Sequence, residues 1–589
     1  MRKNAWSVAL TAAVLGLGLS ACDGDRGLPG APGAPGSDGD QGQPGTPGAP
    51  GTPGTPGTPG ANGNNGVLLD LTRIGGYQDP TLNYANDIFD TAAAEIVAFD
   101  ASTDRVFVVN ASAVTVDVLD LSNPASPQKV NTIDATAEGG GANSVSVFNG
   151  VAAVAIEAAD KVSNGKVVFY NTTTLAKLGE APVGALPDML TFTRDGQAVL
   201  VANEGESNGY GNPGSVDPVG SISVIDVSNG FASPSVATAG FEAFNGQEAA
   251  LRAQGIRIYG PGASAAQDFE PEFIAESADG QSAWVSLQEA NAFAIVDLSN
   301  RAAPMVTSVQ SLGFKAYSIE GMDASDRDPE DFPQVNIQSW PVLGMYQPDA
   351  IASYQFNGKT YYISANEGDD RNDFLQQEET ERIKDLTLDP DRFPNRDALQ
   401  EDEAIGRLEV TTQIGDIDND GDFDQLYALG GRSFSIWTLD AAGKVVQVFD
   451  SGSDFERITA QRYPNNFNAS NDDNSPEGRS DAKGPEPEGV TVGTLAGRTF
   501  AFIGLERIGG VMVYDVTNPQ APSFIQYVNF RDFTKDPETD PSIGDLGPEG
   551  LTFVSAADSP NGTPLLLVGN EISGTTAIWQ IDVVEIDNP

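Results

Sequence analysis

A short apolar strand opened by proline and an acid recurs along this chain, and a glutamate follows each copy about two strands later. The copies read Pro187-Asp188-Met189-Leu190 then Ala202-Asn203-Glu204, and Pro271-Glu272-Phe273-Ile274 then Leu287-Gln288-Glu289. The third is Pro348-Asp349-Ala350-Ile351 then Ala365-Asn366-Glu367, and the fourth Pro487-Glu488-Gly489-Val490 then Gly504-Leu505-Glu506. The fifth is Pro548-Glu549-Gly550-Leu551 then Gly569-Asn570-Glu571. Proline and glutamate lie 17 to 23 residues apart, the length of a two-stranded hairpin. Two weaker copies precede these: Glu95-Ile96-Val97 leads to Val109-Asn110-Ala111, and Asn143-Ser144-Val145 leads to Ile156-Glu157. A unit repeated on this scale buries its faces only against its neighbours.

A further feature closes several copies. An apolar strand ends in aspartate and enters a Ser/Thr-Asn turn, as in Leu119-Asp120-Leu121-Ser122-Asn123, Ile225-Asp226-Val227-Ser228-Asn229, Val296-Asp297-Leu298-Ser299-Asn300 and Tyr514-Asp515-Val516-Thr517-Asn518. Asx and hydroxyl side chains stabilise tight turns. Strand, hairpin, strand, turn, strand is the order of a four-stranded blade. The expectation is an all-β body over residues 67–589, a seven-bladed β-propeller with loop insertions. The ring must close, so the strand near Leu68 to Arg73 is expected beside Ile578 to Val584. Among the insertions, Gln247 to Gly255 is helix-like, Asp323 to Asp331 is an acidic loop, and Asp369 to Glu403 is a charged excursion with helical pieces.

Residues 1–21 read as a lipoprotein signal peptide. Arg2 and Lys3 supply the positive start, and Val8 to Leu19 an apolar core too short to span a bilayer comfortably. Leu19-Ser20-Ala21-Cys22 resembles the bacterial lipobox, in which the Cys22 thiol accepts a diacylglyceryl group; several acyl chains on one residue anchor stably. The alternative is a plain secretory signal with an incidental cysteine, yet the chain's single cysteine stands at that position. Residues 22–66 then form a collagen-like stalk, with glycine at every third position from Gly24 to Gly66. Only glycine fits the axis of a triple helix, and the stalk would reach about 130 Å at roughly 3.1 Å per residue. The expected partners are the membrane, through the lipid, and further copies of this chain, as a homotrimer; a single-chain polyproline-type spacer is the alternative. The expected location is exported and lipid-anchored to a bacterial membrane, at the outer membrane, periplasm or cell surface.

Charge and residue usage narrow the chemistry. With 83 acidic against 32 basic residues the formal charge is −51, which repels nucleic acid and anionic headgroups and favours divalent cations. A soluble surface tuned to a salty habitat accounts for the same charge. Histidine is absent, which removes Ser-His-Asp and Cys-His chemistry and imidazole-held zinc. A metal would have to be held by oxygens, which points to calcium or magnesium.

Three constellations could carry function. Glu157, Glu204, Glu289, Glu367, Glu506 and Glu571 hold equivalent places in successive repeats, so they would ring one mouth of the channel. Like charges that close need a counter-charge, either a bound cation or arginines such as Arg371 and Arg507. The plainer reading is that each acid caps backbone amides of the adjoining blade. Asp416-Ile417-Asp418-Asn419-Asp420-Gly421-Asp422-Phe423-Asp424 matches the first half of an EF-hand loop, with glycine at the sixth place, but Tyr427 stands where the bidentate glutamate would be. The flanks, Leu408 to Thr412 and Gln425 to Leu429, read as strands, so a calcium loop on a hairpin is expected; an acidic turn without metal is the alternative. Finally, Glu367-Gly368-Asp369-Asp370-Arg371-Asn372-Asp373 joins a channel glutamate to acids around one arginine, a ligand site or else a solvated loop.

Several of these segments resemble a known family. Pro187-Asp188-Met189-Leu190, Tyr346-Gln347-Pro348-Asp349-Ala350, Ala365-Asn366-Glu367-Gly368-Asp369-Asp370-Arg371, Gly431-Arg432-Ser433-Phe434-Ser435-Ile436-Trp437 and Gly484-Pro485-Glu486-Pro487-Glu488-Gly489-Val490 are similar to the choice-of-anchor I domain, over roughly Leu68 to Asn588. The resemblance implies attachment to surfaces by varied anchors, here a lipid. It extends to the mesenchyme-specific cell surface glycoproteins of biomineralising sea urchins, and some bacterial members carry an alkaline phosphatase label. No catalytic residue carries over from it. Two functions follow as expectations. One is a surface-displayed, calcium-binding propeller that binds an extracellular ligand such as mineral, polymer or protein. The other is a calcium-dependent phosphomonoesterase, with Arg371, Arg432 or Arg507 stabilising developing charge.

Overall fold

Strands Val151–Glu157, Ala198–Asn203 and Leu565–Asn570 are buried at every residue, so each must be covered on both faces. A computed structural model describes residues 67–328, 334–372 and 374–585. The signal peptide, Cys22, the collagen-like segment, Asp331 and Asp373 lie outside the described residues. Within them the chain forms seven four-stranded antiparallel sheets, each built from consecutive strands save the fifth, whose second and third strands are separated by the insertion 367–432, and the last. In the first sheet these are Val97–Asp100, Arg105–Asn110, Thr115–Asp120 and Gln128–Asp134.

Side chains alternate between the faces of a strand, and each sheet uses both sets. On Ala198–Asn203, Val199 and Val201 pack with Phe169 of the preceding sheet, while Leu200 and Ala202 pack with Val285 and Leu287 of the following one. The same sharing produces a core between every successive pair of sheets. The last core joins Leu565, Leu567 and Ile578 to Val106 and Leu119 of the first sheet, which closes the circle. The first strands meet in the same cyclic order: Val97–Asp100, Gly141–Phe148, Pro187–Phe192, Pro271–Glu276, Ile351–Phe356, Pro487–Leu495, Pro548–Val554 and back to the first. This is the β-propeller arrangement.

The seventh sheet takes its outer strand from the start of the body. Val67–Tyr77 pairs antiparallel with Thr575–Glu585, Leu68 opposite Val584 and Arg73 opposite Trp579, as closure of the ring demands. The aspartates that end third strands act as expected in their turns. Asp120, Asp226 and Asp297 each accept a hydrogen bond from the backbone N–H of Ser122, Ser228 and Ser299, at 2.8, 2.9 and 2.8 Å.

Antiparallel order also fixes where the insertions go. The end of a second strand, the start of a third, the end of a fourth and the start of the next first strand all lie at one end of the ring. The long connections 204–220, 241–270, 312–350, 367–432, 451–486 and 529–547 are all of these kinds, so they crowd that end. Segment 241–270 holds the short helix Glu248–Arg252. Segments 312–350 and 367–432 fold onto each other around Tyr317, Met322, Ile383, Leu388, Ile405 and Leu426.

Trp284 lies between the fourth and fifth sheets, 1% exposed and stacked on Tyr362 with ring centroids 4.0 Å apart. Trp284→Ala is expected to destabilise the body by about 3–5 kcal/mol, whereas Val584→Ala on the exposed edge changes stability by no more than about 0.5 kcal/mol. Denaturant unfolding followed by tryptophan fluorescence and circular dichroism checks both.

Candidate functional site

The proline that opens a first strand pairs with a residue near the end of the second: Pro187 with Asn203, Pro271 with Leu287, Pro487 with Leu505, Pro548 with Asn570. Pairing resumes at Leu190–Val201, Ile274–Val285, Val490–Ile503 and Leu551–Val568. Two residues of the first strand therefore face one of the second, a β-bulge, and proline suits such a start because it has no N–H to donate. The bulge holds the acid and turns it toward the channel. In the Pro-Glu-Gly copies the glycine is required by the neighbour: a Cβ on Gly489 would lie 1.9 Å from the Glu549 carbonyl oxygen, and one on Gly550 would lie 2.4 Å from that of Glu95.

Seven sheets thus present Glu95, Asn143, Asp188, Glu272, Asp349, Glu488 and Glu549 at the starts of their first strands. Glu95, Asp188, Asp349 and Glu549 line a central cavity of about 320 Å³. None of the six carboxylates forms an ion pair among the described residues. Among the described residues, buried oxygens of Glu95, Glu272, Glu488 and Glu549 have no hydrogen-bond partner. The strand-opening acid of the repeat marks this tier in the sequence, and it lies deeper in the channel arrangement than the recurring glutamates alone indicate.

Those glutamates form a second tier beside the first. Glu157 ends its strand, and Glu204, Glu289, Glu367, Glu506 and Glu571 follow theirs by one or two residues. Their backbone N–H groups tie the turn down: Glu204 donates to Leu186, Glu506 to Glu486 and Glu571 to Gly547, each at 2.8 Å. Of the carboxylates, Glu367 accepts from Gln288 at 2.9 Å and Lys483 at 3.2 Å, and Glu506 pairs with Arg507 at 2.8 Å. Lys161 stands 3.9 Å from Glu157.

Burial and neighbouring carboxylates push many of the channel carboxyls toward the neutral form. Burial, with Glu157 nearby, raises Asp188 to about 6. Burial raises Glu571 to about 7 against the pull of Arg507, and burial with Glu270 raises Glu289 to about 8. Glu95, Glu204, Glu272, Asp349, Glu488, Glu506 and Glu549 all stand well above the ordinary carboxylate range, chiefly through burial and then, save for Glu506, where Arg507 opposes, through neighbouring carboxylates. Glu486 is the contrast. Burial alone would raise it, but Lys483, Arg479 and Arg507 hold it well below that range.

The acids around Arg371 separate in three dimensions. Arg371 is buried against Asp268 and Glu270 of segment 241–270 and lies over the rings of Tyr210 and Tyr259. Asp369 instead faces Lys483 at 3.6 Å, and Asp370 accepts from the Asn372 N–H at 2.8 Å. Arg432 is buried too, donating to Glu456 and to the carbonyls of Asp323, Ser480 and Ala482. Arg507 bridges Glu486 and Glu506 at the channel mouth. Lys483, Glu486, Asp268 and Glu270 escaped sequence reasoning, since nothing local to them signals their partners.

In the loop 416–424, oxygens of Asp416, Asp418 and Asp420 lie within 4.8 Å of one another. Asp416 accepts from the N–H groups of Asp420 and Gly421, and Asp424 from that of Ile417. Asp422 keeps one buried oxygen without a partner. The flanking strands form, but not as a hairpin: Glu409–Thr411 pairs with Thr380–Arg382, and Tyr427–Ala428 runs parallel to Leu343–Met345. They diverge because each completes a different small sheet of the folded insertions.

The choice-of-anchor I domain matches residues 95–519, and the collagen triple helix repeat matches residues 17–68. Gigasin-3a of Magallana gigas is 30% identical over 202 residues, 33% of this chain and 69% of its own length. The mesenchyme-specific cell surface glycoprotein of Strongylocentrotus purpuratus is 26% identical over 308 residues, 45% of this chain and 38% of its own length. Among solved structures, a Kuenenia stuttgartiensis hydrazine synthase chain superposes with TM-score 0.41 at 12% identity, covering 87% of this chain and 99% of that one. The β-propeller domain of Cps50 (Swd1) from Myceliophteria thermophila gives 0.37 at 8% identity over the same shares. Among the described residues no helix is long and apolar enough to cross a membrane.

Carboxylates raised in the folded protein stabilise it while they are neutral, and that contribution is lost as pH climbs through the folded values. With Asp188 near 6, Glu571 near 7 and Glu289 near 8, the melting temperature in chelator is expected to fall steadily between about pH 5 and about pH 8. A flat or rising profile over that window would show that the channel acids carry no repulsive strain.

Proposed function

The chain belongs to the choice-of-anchor I family, and from that premise we propose that it works at a surface. The body is a seven-bladed propeller, held off the membrane by the collagen-like stalk and anchored through lipid on Cys22. Three copies join through the stalk. The acid-rich end of the ring binds calcium and an extracellular ligand. What carries this reading is the gathering of the long connections and both carboxylate tiers at one end, while the connections at the opposite end run to no more than about ten residues among the described ones. A scaffold that presents loops and negative charge in one direction suits recognition of a cation-bearing partner. The cell-surface relative supports the location.

Calcium in the aspartate loop is a structural part of this reading. Asp416, Asp418 and Asp420 offer clustered oxygens, with Asp422 and Asp424 beside them, and the turn at Gly421 has φ +99°, which glycine tolerates. A second reading, phosphomonoesterase activity, is favoured by one observation: Lys483 and Arg507 stand among Glu367, Glu486 and Glu506 at the mouth, acids and bases together. Arg371 and Arg432 are spent in buried pairs and would not serve it.

Cys22→Ser is expected to move the protein from the membrane fraction to the soluble exported fraction; retention in the membrane would remove the lipid anchor from the reading. The chelated protein should gain melting temperature with calcium and lose part of that gain in Asp418→Asn/Asp420→Asn. It should not hydrolyse p-nitrophenyl phosphate. Calcium-dependent turnover abolished by Lys483→Ala would instead make it an enzyme.

A further inference from the structure

The channel contains a set of oxygens arranged as a cation site and separate from the aspartate loop. Carboxylate oxygens of Asp349, Glu367 and Glu488 lie within 4.8 Å of one another. Two oxygens on opposite sides of a calcium ion held at about 2.4 Å would be that far apart. The three come from two adjoining sheets. Asp349 precedes the first strand of the fifth, Glu367 follows its second strand, and Glu488 sits in the bulge of the sixth. They join the two tiers at one place.

We propose that this cluster binds a divalent, oxygen-seeking cation of the calcium type inside the channel. It rests on the acid-rich end being the working end, and it says what that end holds. Three observations converge on it. The first is proximity, since carboxylates this close repel unless something positive lies between them. Lys483 reaches Glu367 from one side at 3.2 Å, but it is shared with Glu486 at 3.1 Å, and neither Asp349 nor Glu488 has a basic partner among the described residues. The second is the unpartnered oxygen. Among the described residues Glu488 keeps a buried oxygen with no hydrogen bond, and so does Glu272 of the adjoining fourth sheet, which is only 8% exposed. One proton serves a single pair of oxygens, whereas a cation satisfies several at once. The third is room. The adjoining cavity of about 320 Å³, lined by Asp349, Asp188, Glu95 and Glu549, leaves space for the waters that complete the shell of such an ion.

The ligand set is oxygen only, with flexible glutamates from separate sheets, which suits the variable coordination of calcium better than the rigid octahedron of magnesium. Glu367 can join while accepting from Gln288 and Lys483, since each carboxylate oxygen has a second lone pair.

The test is calcium titration of the full chain, freed of metal by chelation, by calorimetry and by terbium luminescence. The wild type should show two classes of site. Glu488→Gln should lose the channel class and keep the loop class, and Asp418→Asn/Asp420→Asn should do the reverse. In chelator Glu488→Gln should melt at least as high as the wild type, because a buried carboxyl without a basic partner is replaced by a group that cannot ionise, yet gain less from calcium. Asp349→Asn should reproduce this from the neighbouring sheet. Glu488→Gln and Asp349→Asn binding calcium as the wild type does, or all calcium uptake vanishing in the loop variant, would overturn the channel site. A loop variant with undiminished uptake would remove calcium from the loop and leave the channel site standing.

Discussion

Each four-stranded sheet in this protein is apolar on both faces, and the rest of the structure depends on that. A sheet with two faces to bury needs two neighbours, and a row of such sheets leaves two faces bare at its ends. Bringing the seventh sheet against the first removes both at once. The core of Leu565, Leu567 and Ile578 with Val106 and Leu119 therefore matters more than its size suggests. The long antiparallel pairing of Val67–Tyr77 with Thr575–Glu585 ties the ring shut through the backbone, where packing alone would allow the seam to breathe.

Closure has an electrostatic consequence. A ring of sheets brings seven strand starts around one axis, so whatever residue the repeat carries there meets six copies of itself. Here that residue is acidic in six of the seven sheets. A single strand-opening carboxylate on a lone sheet would be solvated and harmless. Around an axis, half-buried and facing its own kind, it is held in a state that burial and repulsion both disfavour. The bulge that aims it inward recurs in four of the sheets, and in the two Pro-Glu-Gly copies a glycine lets adjacent bulges touch. The arrangement therefore belongs to the repeat and not to one loop.

The basic residues are placed unevenly against this charge. Lys483, Arg479 and Arg507 gather on Glu486, between the fifth and sixth sheets, and leave the strand-opening tier unpaired. Arg371 and Arg432, which lie in conspicuous sequence motifs, instead clamp long connections to the body. Arg371 holds segment 241–270 through Asp268 and Glu270, and Arg432 holds segment 451–486 through Glu456 and two carbonyls. Breaking either buried pair would strand a charge, so both read as parts of the frame that positions the crowded end.

Much of this was legible along the chain. The repeat of Pro-acid and glutamate, the aspartate turns and the alternation of strand residues reflect local geometry, which a sequence records directly. The partner of Leu68 to Arg73 followed from the demand that a ring close. The loop 416–424 is readable as acids and glycine, but nothing in its flanks shows that each strand joins a different sheet. That choice depends on how segments 312–350 and 367–432 fold together. Which residues open and end each strand is written along the chain, and with it the recurrence of carboxylates from sheet to sheet. Which of them meet, and which are neutralised, follows from the folded arrangement alone. Arg371 reaches Asp268 across 103 positions of chain, and the Asp349, Glu367 and Glu488 oxygens converge from two sheets. Charge interactions depend on distance and burial in space, and neither is written in the order of residues.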